Sequence, residues 1–225
     1  MSNEAPSPRT RVRRNPIRAE YDRDVINAVL DSEQICHVAW IEDGEPRMVP
    51  TLYFREGSEI FLHGNRQSAT LKKVGEGATA CITVTLVDGV VVARSGFHCS
   101  MNYRSVTLFG RGRTVEGEEE RQRLDQFVER LIPGHFARVR EPTPQEIAAT
   151  TVIAIPIDEA SAKIRGEGSI DTDSDLDAEV WAGIIPLRTA VGTPIANADL
   201  KANIALPAYV AQWQHVDSRQ GSQHA

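Results

Sequence analysis

Between residues 47 and 73 lies a set of side chains suited to holding a phosphate: Arg47, Thr51, His63, Asn65, Arg66, Ser68, Thr70, Lys72 and Lys73. An anion of that kind needs guanidinium forks, ammonium groups, hydroxyls and backbone amides converging on one point. Taken singly, each of these residues reads as ordinary solvated surface. Their clustering on two strands and on the turn and helix that follow is what points to a ligand. Neither glycine-rich phosphate loop is present: no GxGxxG follows a first strand and no GxxxxGK[ST] occurs, and the glycines of GFHCSMNYRSVTLFGRGR have the wrong spacing. Cys36, Cys81 and Cys99 are odd in number, widely spaced and without a CxxC pair, so they read as buried thiols and not as a disulfide framework. Cys36 beside His37 and His98 beside Cys99 do not make a metal pair, because neighbours on a strand point to opposite faces.

The elements that must position this set follow from periodicity. Residues 1–16 are rich in Ser, Pro, Asn and Arg and read as a mobile or extended arm. From 20 to 30 the side chains Tyr21, Val25, Ile26, Val29 and Leu30 recur at helical spacing. Strands follow at 35–41, 47–54 and 59–64, the first two joined by the turn dipeptide Asp43-Gly44. A short helix after Asn65 and Ser68 ends near Gly75 and Gly77. Residues 78–95 read as two β segments around Asp88-Gly89, and 105–115 as a strand holding two glycines. An amphipathic helix covers 116–132, and Thr143-Pro144-Gln145-Glu146 caps a third over 144–149. Residues 151–164 return to β, 180–192 read as a last buried strand, and the chain through Trp213 is irregular or weakly helical. At least six strands in meanders, with few short helices, point to a small mainly β antiparallel barrel with peripheral helices and away from a doubly wound fold.

Composition narrows the class. With 225 residues, 41% hydrophobic and 25% charged, the chain suits one globular domain. A net charge of -6 argues against a nucleic-acid coat, although six arginines fall within residues 9–23. The expectation for that arm is packing across a partner subunit. The acidic run 171–179 is either a lid or solvated chain. No apolar run approaches the roughly 20 residues of a membrane span, and the polar start carries no apolar export segment, so the expected location is cytoplasmic.

The strings GEPRMVPTLYFREGSEIFLHGNRQSATLKKV, FHCSMNYRSVTLFGRGRTV, AKIRGEG and EVWAGIIPL, in this order over roughly residues 15–210, resemble the pyridoxamine 5'-phosphate oxidase-like proteins. The likeness is to the flavin-nucleotide-binding branch that includes the nitroimidazole-resistance proteins. It implies a split β-barrel over 17–210, flanked by the basic arm 1–16 and a tail 211–225. It also implies a homodimer with FMN in clefts at the subunit interface. By the same likeness, Arg47 and the backbone of Met48, Val49, Pro50 and Thr51 line the flavin, and His63 and Gly64 end a strand beside it. Lys72, or Lys73 in its place, meets the phosphate with Ser68 or Arg66. Asn102, Tyr103, Arg104 and Ser105 approach from the other subunit, and Trp181 is the late aromatic near the cofactor. His63 is either an active-site residue facing the substrate or a histidine capping a strand.

The sequence departs from the vitamin oxidases proper in lacking their C-terminal arginine-rich RLHDR-like string. Residues 207–225 hold one arginine, so the vitamin is not the expected substrate. The expectation is an FMN-dependent oxidoreductase that takes electrons from a small-molecule donor such as a reduced nicotinamide and reduces a small electrophile of the quinone or nitro class. The alternatives are a flavin carrier without turnover, or a split barrel holding a deazaflavin or haem, with His63, His98 and His37 available as axial ligands and no haem attachment motif. Neither a nucleic-acid nor a membrane partner is expected.

Overall fold

The computed structural model describes residues 4–215; the first three residues of the arm and positions 216–225 of the tail lie outside it. Strand β1 (Ala19–Glu20) leads into helix α1 (Arg23–Asp31). The carboxylate of Asp22 caps α1 by accepting from the amides of Asp24 and Val25, and Ile26, Val29 and Leu30 turn one stripe of it inward. Strands β2 (Ile35–Glu42) and β3 (Glu45–Glu56) form a hairpin whose two loop residues, Asp43 and Gly44, both have positive φ, at 52° and 81°. Such a pair matches the right-handed twist of the flanking strands. Strand β4 (Glu59–Asn65) follows, then helix α2 (Ala69–Gly75), capped by the Ser68 hydroxyl.

The long strand β5 (Thr79–Val92) pairs with β6 (Ser100–Arg111), which continues past Gly112 into β7 (Arg113–Val115). Helix α3 (Gly117–Leu131), helix α4 (Pro144–Ala149) with its Thr143/Glu146 capping box, and the hairpin of β8 (Thr150–Pro156) and β9 (Glu159–Arg165) complete the body. Strand β10 (Gly183–Pro186) and the short helix α5 (Ala208–Ala211) lie on the outside.

Among the described residues the strands form one antiparallel sheet in the order β1-β9-β6-β5-β2-β3-β4-β8-β7, with β10 on β5. It curls into a split barrel that does not close by pairing. The continuous β6–β7 strand carries the chain from β5 and β9 to β8, and its glycines let it pass. A Cβ on Gly110 would stand 2.6 Å from Ile155, and one on Gly112 would stand 2.7 Å from Ile153 and 2.9 Å from the Val74 carbonyl.

Alternation on β4 and β8 divides the core in two. Ile60, Leu62, Ile153 and Ile155 fill the barrel with Ile82, Val84, Val106 and Leu108, while Phe61, Val152 and Ala154 face the other way onto Phe54 and Phe127 under α3. Both faces of these strands are therefore buried.

Three local expectations need correction. Residues 79–92 are one strand and not two, because Asp88 bulges out between Val87 and Gly89 and the ladder resumes beyond it, with Arg104 holding the Asp88 carboxylate at 2.7–3.2 Å. The last strand is only 183–186 and is exposed, with Ile184 and Ile185 on the surface, since it adds to the edge of β5 and nothing covers it. Cys36 is buried as expected, but Cys99 is exposed, lying after the turn at Gly96–His98 and not inside a strand. Part of the arm is tied to its own chain, where the Arg9 guanidinium forks onto the Glu159 carboxylate at 2.5 and 2.7 Å and Thr10 is buried.

Candidate functional site

Strand β3 changes partners halfway along its length. Its second half pairs with β4 from Tyr53↔Leu62 to Glu56↔Glu59, while its first half, from Glu45 to Leu52, pairs with β2. Beyond Leu62, β4 instead continues on β8 through His63, Gly64 and Asn65. The two strands thus part at Leu52 and His63. In an antiparallel strand, alternate residues send their backbone groups to either side. Tyr53 donates to Gln34, so Arg47, Val49 and Thr51 bond to β2 as well, and the groups left to the opening are the amides and carbonyls of Met48 and Leu52 and the carbonyl of Pro50.

The expected cofactor residues of the first segment lie on β3, at the end of β4 and on α2. Arg47 is more than half exposed, with only a 3.8 Å approach to Glu42, and Met48 beside it is 64% exposed. Val49 and Thr51 are half-buried and Pro50 is exposed. Gly64 closes on α2 at a position where a Cβ would stand 3.1 Å from Leu71. Ser68 accepts from the Leu71 amide, and Lys72 reaches only Gln67, at 2.6 Å, with Lys73 exposed next to it. Arg66 turns elsewhere: its guanidinium donates to the carbonyls of Ala148 (3.0 Å) and Thr150 (2.8 Å) and meets Glu120, tying α4 to α3.

The second expected segment is not brought to this opening within one chain. β6 stands three places from β3 in the sheet, roughly 14 Å away at about 4.8 Å per strand. There Asn102 is buried, accepting from Arg165. Arg104 is committed to Asp88, Ser105 donates to the Lys163 carbonyl, and Tyr103 is half-buried. Trp181 is 65% exposed and lies over Gly183 at the start of β10.

His63 faces away from the barrel, onto α3. Its ring lies 3.9 Å from that of Phe127, its Nδ1 is buried without a hydrogen-bond partner, and burial pushes its pKa below the ordinary value. It stands in a cavity of about 500 Å³ whose walls include Leu124, Phe127, Val128, Phe136, Val139 and Ile147. Nothing in the sequence reading marks this cavity, although the helix stop at Pro133-Gly134 and the capped helix at 144 bracket the loop that forms it. Among the described residues no group of three or more metal-ligating side chains occurs, and no helix is long and apolar enough to cross a membrane.

The family model described as pyridoxamine 5'-phosphate oxidase matches residues 22–164. The structure of the flavocytochrome Anf3 from Azotobacter vinelandii superposes with a TM-score of 0.88 at 35% identity, covering 94% of this chain and 99% of that one. The FAD and haem binding protein from Mycobacterium smegmatis gives 0.82 at 38% identity, over 86% and 95%. A candidate 5-nitroimidazole antibiotic resistance protein from Bacteroides thetaiotaomicron gives 0.55 at 20% identity, over 65% and 86%, a likeness of fold alone. No curated protein matches.

Proposed function

The chain belongs to the pyridoxamine 5'-phosphate oxidase-like family, and from that premise we propose that it is a flavin-binding redox protein, working as a homodimer and carrying haem as a second redox group. The observation that carries the flavin reading is the parting of β3 from β4, which leaves backbone groups of Met48, Pro50 and Leu52 unpaired, with Arg47 exposed on the same strand and Lys72 and Lys73 exposed on α2. This donor set fits a flavin nucleotide: a flat slot with backbone donors for the ring, and ammonium and hydroxyl groups for the phosphate. The free backbone groups of Met48, Pro50 and Leu52, with Arg47, would hold the ring, and Lys72 or Lys73 with Ser68 would hold the phosphate. The flavin supplies the hydride and electron transfer. FMN is the nucleotide the sequence resemblance implies, whereas the Mycobacterium smegmatis relative is an FAD protein, and the likeness to it at 38% identity favours FAD here.

The homodimer reading rests on the uncovered face of the sheet. Ile35 and Ile41 on β2, Met48 on β3, Val87 on β5 and Met101 on β6 are all exposed, and an unpaired apolar sheet face of this kind is what a second copy covers. In a dimer built on that face, the partner's β6 can supply the polar segment that a single chain holds away from the opening. The expected reaction passes electrons from a small reductant to a small electrophilic acceptor of the quinone or nitro class. Cytoplasmic residence belongs to the same reading, and the exposed free thiol of Cys99 suits a reducing compartment.

The test is an absorption spectrum of the freshly purified protein, with identification of whatever chromophore is released on denaturation. Released FAD or FMN together with a Soret band supports the reading. A colourless protein that takes up neither nucleotide overturns the flavin site, and a monomer that binds flavin tightly overturns the interface site.

A further inference from the structure

We infer that the cavity between α3 and α4 is the haem site of this protein and that His63 is the axial ligand to the iron. The inference rests on the haem reading above. It goes beyond it by assigning a place and a ligand.

A haem needs apolar walls for the porphyrin, one neutral imidazole nitrogen facing the iron, and an opening where the propionates meet water or a cation. The cavity supplies each. Leu124, Phe127 and Val128 of α3 form one wall, Phe136 and Val139 of the following loop a second, and Ile147 of α4 a third. Its volume of about 500 Å³ falls within the range of cofactor pockets. Arg140 and Thr150 stand among the lining groups, Arg140 in a fork with Glu146 at 2.6–2.7 Å.

His63 is the lone histidine lining it. A histidine retained for packing normally has its ring nitrogens satisfied, because a buried polar atom without a partner gives up its hydrogen bond to water with nothing in return. The buried Nδ1 of His63 has none, and no fixed hydrogen bond has to be broken for the ring to turn toward a metal.

The other described histidines are placed differently. His37 is exposed on the open face of β2, and His98 ends a surface turn beside the almost fully exposed Phe97. His135 shares a 2.8 Å hydrogen bond with Tyr209, and His215 lies near Glu33. None of them lines an apolar pocket.

The same cavity does not suit the flavin. Its lining is apolar, and its one lysine or arginine, Arg140, is paired with Glu146, so it offers no buried partner for a phosphate, whereas haem propionates need only water at an open mouth. The topology then gives the pairing of sites a purpose. His63 adjoins Gly64, where β4 reaches the opening left by β3, so the iron's ligand and the flavin cleft share the last residues of one strand.

Haemin titrated into the purified full-length protein tests the assignment, with the Soret band and the flavin absorbance read together. His63→Ala is expected to weaken haemin binding at least tenfold and to shift the Soret band, to keep its flavin, and to recover the band when imidazole is added to the solution. His37→Ala and His98→Ala are expected to bind haemin as the unaltered protein does. Val139→Trp, which fills the mouth of the cavity from an exposed loop without touching β4, is expected to lower haemin affinity as well, and covers the case in which the His63 variant fails to fold. Full haemin binding with an unchanged band in both His63→Ala and Val139→Trp places the haem elsewhere and overturns the assignment. A protein that takes up no haemin before any substitution overturns the haem reading on which it rests.

Discussion

Strands β4 and β8 carry apolar side chains on both faces, whereas β2 buries one face and presents the other to solvent, and the first half of β3 buries neither fully. On the first pair, Ile60, Leu62, Ile153 and Ile155 fill the barrel and Phe61, Val152 and Ala154 meet Phe54 and Phe127 under α3. On the second pair, Cys36, Val38 and Trp40 point inward, while Ile35, His37, Ile41 and Met48 stay exposed. Regular packing on two sides fixes the closed half of the barrel. The open half keeps backbone edges, cations and apolar side chains available, as a ligand and a second copy would require.

Substitutions should separate the two halves, and the largest effect belongs to the closed one. Leu62 is fully buried in the barrel. Leu62→Ala removes its transfer energy and leaves a cavity that the facing strands cannot fill, at a cost of about 2–5 kcal/mol. Urea unfolding is expected to show the loss in the midpoint. A loss below 1 kcal/mol would mean that the barrel interior is not the rigid frame described here.

On the open half, the effect should appear in ligand retention and not in folding. Arg47→Ala and Lys72→Ala are each expected to weaken flavin retention by about 1.5–3 kcal/mol, the range for hydrogen bonds to a charged group, while the urea midpoint of the apoprotein stays in place. Equilibrium dialysis measures the first quantity. If Lys72→Ala retains flavin fully and Lys73→Ala does not, the phosphate contact moves by one residue along α2.

The boundary between the halves carries a pH signature. Burial holds the His63 imidazole below its ordinary value of 6.5, so near that pH the unfolded chain binds a proton that the folded chain refuses. Its contribution is fully present above pH 6.5 and is lost as the pH falls through the window below. The neighbouring Glu146 carboxyl does not titrate there, since the Arg140 guanidinium, aided by Thr143, holds it at about 2. Thermal melts of the apoprotein between pH 7.5 and 5 are expected to fall more steeply for the unaltered chain than for His63→Leu. Parallel curves would place the ring in solvent and not against Phe127.

Much of the frame was legible in the sequence. Periodicity in 20–30 and 116–132, the Asp43-Gly44 turn and the Thr143 capping box each have a local physical cause, and each element appears within a few residues of its expected bounds. The glycines at 110 and 112 were visible as unusual for a strand, but the close approach to Ile155 and Ile153 that requires them is long-range. The same limit explains the bulge at Asp88, whose turn-like dipeptide is overruled by Arg104 from the next strand. Of the candidate site, the sequence offers residue types suited to a phosphate on β3 and α2, but not their spacing in the fold. Arg66 was drawn into that set by its charge, and only the fold shows its guanidinium turned onto the backbone of α4. The cavity at His63 had no local signal at all, because its walls come from three separated segments.

The smallest effect on folding, and the sharpest test of the contrast, lies on the outermost strand. Ile184 and Ile185 of β10 and the Trp181 that precedes them are exposed, and the strand hangs on β5 through four register pairs. Truncation at a surface site leaves no cavity, so Trp181→Ala and Ile184→Ser are expected to change folding stability by no more than about 0.5 kcal/mol. If these side chains meet a second copy, the same two changes weaken association far more than that, because apolar groups at the centre of an interface account for most of its energy. Sedimentation velocity at several concentrations, alongside urea melts of the same variants, distinguishes the two costs. A dimer that survives both substitutions unchanged removes β10 from the interface and leaves the sheet face of Ile35, Ile41 and Met48 as the surface that a partner must cover.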